Sequence, residues 1–294
     1  MKRHKTVRLG LIAVALGLAF AVTLPTWAAT TETDQASTTT AATKKKKKKK
    51  RKKAAAQQAM SAEEDSGGLS AAASRALAQI DRRLEAWNTA DAKRLVGELT
   101  GVPDAEVAIA RGRVAQQEKD WSTAQAELER AAKSSPDDPE PLVFLGETLL
   151  LANNQGGARQ AFAQAADVAQ ARLAESADDV DALYSLGVSQ QRMMRFDDAF
   201  ANLSKARQED PSDALIVYQL GVTRAFQERW SEAAALLDQA IAMNSGIAYA
   251  YYYRGLSEGR AGHKDRLVND LNRFLAMAPH APDAAKAQKI LESV

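Results

Sequence analysis

The chain has 294 residues, 46% of them hydrophobic and 26% charged. That balance excludes collagen-like structure and disorder throughout. Cys is absent, which removes disulfides, thiolate metal sites, cysteine nucleophiles and the acylated Cys of a bacterial lipoprotein. His occurs only at His4, His263 and His280, and the 16 Gly form no phosphate-cradling pattern. The formal net charge of +2 hides two opposed parts. Residues 1–53 hold 14 Lys/Arg and two acids, Glu32 and Asp34. From residue 54 onward 25 Lys/Arg face 35 Asp/Glu, so an acidic body carries a basic arm.

Residues 1–28 have the three parts of a secretory signal. Lys2, Arg3, Lys5 and Arg8 precede a 16-residue apolar run at 9–24, and small residues follow Pro25. Cleavage is expected after Ala28, which implies an exported, periplasmic protein. The alternative is a membrane anchor at 9–24, although a span asks for about 20 apolar residues. Dense positive charge 20 residues downstream also resists translocation.

Residues 29–68 have no apolar period and are expected to be disordered. They contain an unbroken basic run: Lys44, Lys45, Lys46, Lys47, Lys48, Lys49, Lys50, Arg51, Lys52 and Lys53. Such a run extends by self-repulsion. It suits an anionic lipid or polysaccharide surface, at about 1 kcal/mol per charge near an anionic membrane. It serves equally as a solvated spacer. Without interleaved aromatics it gives no platform for base stacking, so nucleic acid is not favoured.

The body repeats. Gly112, Gly146, Gly187, Gly221 and Gly255 are separated by 34, 41, 34 and 34 residues. Twelve residues after the Gly stand Ala124, Ala158, Ala199, Ala233 and Leu267, and four further on Leu128, Phe162, Leu203, Leu237 and Leu271. Pro136, Pro211 and Pro279 close three units. Apolar residues at i, i+3, i+4 and i+7 predict two amphipathic helices per unit, and small residues let them approach closely. One pair cannot bury its own stripe, whereas stacked pairs make a continuous core. The 41-residue unit carries its seven extra residues on the second helix, where Phe162, Ala166, Ala169 and Leu173 continue the stripe.

The stretches LYSLGVSQQRMMRFDDAFANLSKARQEDP (183–211) and VYQLGVTRAFQERWSEAAALLDQAI (217–241) resemble the tetratricopeptide repeat (TPR) family. The resemblance covers about 105–280, with five units at 105–281. It implies an all-α fold, a right-handed superhelical solenoid of antiparallel helix pairs. Residues 69–104 half-match: Leu77, Ala78, Trp87 and Ala90 lie 34 before Arg111, Gly112, Trp121 and Ala124, and Arg94 interrupts the pattern. They read as a degenerate capping pair. Residues 282–294 read as a capping helix with Pro282 in its first turn.

In the TPR family the first helix of each pair lines a concave groove that binds peptides or protein segments. Carried over by position, that groove holds Tyr184, Tyr218 and Tyr252 as a ladder. Leu215, Tyr249, Tyr253, Val188, Val222, Leu256, Phe226, Arg192 and Arg260 join it. Arg75, Arg82 and Arg83 are expected at its other end. The family's Lys/Asn set for a C-terminal carboxylate is missing. The resemblance therefore implies a non-catalytic scaffold with a protein or peptide partner, no cofactor, no metal and no small-molecule substrate. Trp121, Phe196 and Trp230 read as packing residues at turns. The pairs Asp137-Asp138, Asp178-Asp179 and Asp197-Asp198 read as helix-start residues. A second reading gives the main work to the basic arm and leaves the repeats as a spacer.

Overall fold

The computed structural model describes residues 69–294. The signal-like segment 1–28 and nearly all of the arm at 29–68 lie outside the described residues. Among these there are thirteen α-helices and no strand. Helices α1 (Ala71–Glu85) and α2 (Thr89–Gly97) form a first pair. Five further pairs follow: α3 (Asp104–Gln117) with α4 (Trp121–Ser134), and α5 (Glu140–Leu151) with α6 (Gln155–Glu175). Then come α7 (Val180–Arg192) with α8 (Phe196–Glu209), and α9 (Ala214–Phe226) with α10 (Trp230–Met243). The last pair is α11 (Ala248–Arg260) with α12 (Lys264–Met277), and α13 (Ala284–Glu292) closes the end. Each helix packs on its predecessor and successor, and successive first helices also touch.

The repeat glycines set the spacing within pairs. A Cβ built on Gly112, Gly187 or Gly221 would stand 2.6–2.7 Å from the side chain of Leu128, Leu203 or Leu237. On Gly146 it would meet the Phe162 ring at 2.6 Å. Each glycine thus seats the large apolar residue 16 positions later, and those residues are buried at 0–1% exposure. The turn inside each pair also repeats. Lys119, Asn153, Met194 and Glu228 take φ of 60–64°, and Gly262 takes 96°. This left-handed residue lets the second helix fold straight back on the first.

Helix ends are satisfied locally. Ser70, Asn88, Asp120, Asn154, Asp179 and Asp213 accept backbone N–H groups with their side chains. Asp138 accepts the Glu140 amide, and Asp197 and Asp198 lie in the first turn of α8. Pro136, Pro211 and Pro279 each stand two residues beyond the end of α4, α8 or α12. Helix α6 has 21 residues where the other second helices of the full pairs have 14. Its added turns build a satellite core in which Ala166 and Ala169 meet Ala182 and Leu186, flanked by Leu173 and Met193.

The first pair corrects the sequence alignment. Its left-handed residue is Trp87, with φ 55°, 32 residues before Lys119. The offset is therefore 32, not 34. Ile80 takes the glycine position, Ala92 matches Ala124, and Val96 matches Leu128. A larger residue on α1 is met by a smaller one on α2, and Ile80, Leu84, Ala92 and Val96 make a core with Ala110 and Val114. Arg94 points outward to Glu98. At the far end Pro282 precedes α13, whose N-cap is Asp283.

The glycine contact has a measurable consequence. Gly187→Ala should destabilise the fold by about 1–3 kcal/mol in chemical denaturation, through overpacking against Leu203. Gly156→Ala, where nothing stands within 4 Å, should instead gain up to about 1 kcal/mol.

Candidate functional site

The face of the first helices that the repeat pattern assigns to the groove falls into two halves. In α9 and α11 it is apolar and aromatic, with Leu215, Tyr218, Val222 and Phe226, then Tyr249, Tyr252 and Leu256. In α1, α3, α5 and α7 it is rich in carboxylates: Asp81 and Glu85, Glu106, Glu140 and Glu147, and Asp181. The 32-residue offset of the first pair places Asp81 and Glu85 there. It removes Arg75, Arg82 and Arg83, which lie off this face because their expected place rested on the 34-residue offset.

The tyrosines do not form an open ladder. Tyr184, Tyr218, Tyr249, Tyr252 and Tyr253 are at most 5% exposed, and Val188, Val222 and Leu215 are buried with them. The rings pack on one another along the stack. Tyr253 stands 6.4 Å from Tyr218, 5.9 Å from Phe226 and 5.3 Å from Tyr252, centroid to centroid. Phe274 of α12 meets Tyr249 and Tyr252 at 5.1 and 5.0 Å. The hydroxyls of Tyr249 and Tyr252 donate to Asp283, at 3.2 and 3.4 Å. Burial raises the pKa of both phenols and the nearby Asp283 carboxylate adds to it, so they stay neutral donors. Aromatic area of this kind contributes more as core than as exposed surface. Of the residues assigned to the groove, Phe226 and Leu256 are half-buried and Arg260 is exposed. Arg260 lies over the Trp230 ring at 5.8 Å.

Arg192 is likewise buried. Its Nε donates to Glu147 at 2.6 Å, and both side chains are 0% exposed. Burial opposes its charge, but Glu147 more than offsets that and holds the guanidinium protonated. The pair ties α5 to α7. A second buried pair, Arg113 with Asp81, ties α1 to α3, and the Arg113 guanidinium also stacks over Phe144 at 4.9 Å. Removing one member of such a pair costs roughly 3–5 kcal/mol, since it strands a buried charge. Two neutral clips follow the same logic. Gln116 donates to the Thr148 hydroxyl and Gln191 to the Thr223 hydroxyl, each 32 residues ahead. Only a comparison of inward positions between adjacent units reveals these couplings in the sequence.

The first pair also reaches the far part of the stack, because Asn244, just past α10, hydrogen-bonds the Glu85 carboxyl. Burial raises the Glu85 pKa against Arg113, Arg82 and that bond. His263 pairs with Glu258, which also takes Arg266. His280 lies in the loop before α13. Among the described residues no three His, Asp or Glu gather as metal ligands, and no helix is long and apolar enough to cross a membrane.

Solved structures share this arrangement. A TPR protein of Thermus thermophilus, TTC0263, superposes with a TM-score of 0.52 at 19% identity, over 65% of this chain and 100% of that one. The fold is that of a TPR protein. MamA of Desulfovibrio magneticus aligns at a TM-score of 0.39 and 16% identity, over 61% of this chain and 97% of its own. YrrB, described as a TPR protein with an unusual peptide-binding site, aligns at 0.37 and 17%, over 63% and 92%. No family model matches the chain, and no curated protein matches its sequence.

The acidic half of the TPR inner face responds to pH. Burial pushes the Asp81 carboxyl up to about 7, against the pull of Arg113, and Glu85 and Glu106 push it further. Because this lies above the ordinary value of 3.8, the stability linked to its proton is complete below about pH 4. It is lost as pH rises through 7. Hydrogen exchange in α1, corrected for intrinsic rates, should therefore slow by at least about tenfold from pH 8 to pH 5. Asp81→Asn should flatten that response.

Proposed function

We propose that this chain is a non-catalytic interaction scaffold that holds a peptide or protein segment against its TPR array. The observation that carries the reading is the convergence of five first helices on one face. There the buried charges are committed to joining units: Glu147 to Arg192 and Asp81 to Arg113. A general acid or nucleophile needs a group poised towards substrate, whereas these hold helices together. Contact with a partner falls to side chains that keep exposed area at the C-terminal part of the face, namely Phe226, Leu256 and Arg260. An apolar anchor beside a carboxylate on the partner would match them.

We further propose that the scaffold works in a bacterial cell envelope after export. The support is the basic, apolar and small-residue sequence of residues 1–28.

Replacing Phe226, Leu256 and Arg260 together with Ala should weaken capture of the native cross-linked partner at least about tenfold, as truncation of anchors does. Far-ultraviolet circular dichroism should be unchanged. Undiminished capture overturns the assignment of that surface. A mature N-terminus at Ala29 is the outcome that export requires.

A further inference from the structure

We propose that the acidic half of the inner face is a docking site for a lysine-rich segment, and that its occupant is residues 44–53 of the same chain. The occupant lies outside the described residues, so the argument rests on the surface, the tether and the charge.

Six carboxylates stand at inward positions of four successive first helices: Asp81, Glu85, Glu106, Glu140, Glu147 and Asp181. Two cations, Arg113 and Arg192, share those positions and pair with Asp81 and Glu147. Four negative charges remain in surplus. The inward positions of α9 and α11 hold no carboxylate. Asp81 adds an independent sign of a missing donor. Its side chain is 7% exposed, and Oδ1 takes Arg113. Its Oδ2 is buried without a hydrogen-bond partner. A buried carboxylate oxygen left so is costly, and its raised pKa reflects that cost. A lysine ammonium is the fitting donor. It brings three N–H groups on a long apolar stem that can pass a buried rim. A metal ion fits less well, because no ligand cluster gathers among the described residues.

The lengths agree. Neighbouring helices stand about 8–10 Å apart, so four first helices span roughly 30 Å. Ten extended residues span about 33 Å. Residues 54–70 join the run to α1, and a flexible tether of 17 residues has a root-mean-square reach of about 23 Å. Such a tether holds the run at about millimolar effective concentration, enough to keep even a weak contact occupied. The run carries ten positive charges and the chain from residue 54 onward an excess of ten negative ones. Seated there, the arm covers the neighbouring end of the TPR face and is not available to an anionic surface.

The test uses the full chain and a full-length variant with all ten basic residues at 44–53 changed to Gln, probed with a fluorescent decalysine peptide. The variant should bind decalysine at least about tenfold more tightly than the parent, with an affinity that falls steeply with salt. Adding Glu106→Gln, Glu140→Gln and Asp181→Asn to the variant should remove most of that binding, while its circular dichroism stays that of a folded helical array. Equal decalysine affinity for parent and variant overturns the proposal, and so does an unchanged affinity in the triply neutralised protein. Concentration-dependent association of the parent in sedimentation, absent from the variant, would place the run in a second copy and overturn same-chain occupancy. Partner capture through Phe226, Leu256 and Arg260 is a separate measurement, so failure of this proposal leaves the scaffold reading standing.

Discussion

The structure depends on one contact repeated along the chain, a glycine on the first helix against a branched or aromatic side chain on the second. The absent Cβ at Gly112, Gly146, Gly187 and Gly221 lets each pair close until Leu128, Phe162, Leu203 or Leu237 fills the gap. With that distance set, the pairs present matching stripes and stack, and the first helices are enclosed. Residues 182–192 of α7 are buried without a break. A helix enclosed on every side must satisfy its polar groups within the stack. The Glu147–Arg192 pair and the glutamine–hydroxyl clips do so.

Enclosure also divides the inner face by chemistry. Towards the C-terminus the inward residues are mostly aromatic and pack against the next unit, ending on Phe274 and Asp283. Towards the N-terminus they are mostly carboxylates, and these raise one another's pKa, as Glu85 and Glu106 do to Asp81. The first half holds its neighbours by shape and the second by charge, so salt and pH act on the two ends of the array unequally.

Much of this was legible in the sequence because spacing and residue size carry it. Five glycines, the alanines twelve residues on and the large residues after them imply paired helices, and α6 holds the seven-residue insertion. Two things were not legible. The first pair lost its glycine, and with Ile80 against Val96 the eye follows Trp87 and Trp121 into a wrong offset of 34. The tyrosine positions match those of an exposed groove in the family, but position alone does not give depth. Whether a side chain at Tyr218 meets solvent or Tyr253 depends on how closely successive first helices approach, and that distance is a property of the whole stack.

The hairpins that join the paired helices carry a further consequence. Five of the six turn on a residue with a side chain, Trp87, Lys119, Asn153, Met194 or Glu228, held in a conformation that costs roughly 1–2 kcal/mol. Such a corner keeps its shape only while both flanking helices grip it, so bending there means losing the corner altogether. The sixth turns on Gly262, for which that geometry carries no penalty. The last pair can therefore open and close about its corner while the five before it stay rigid, which makes the C-terminal end the compliant end of the rod.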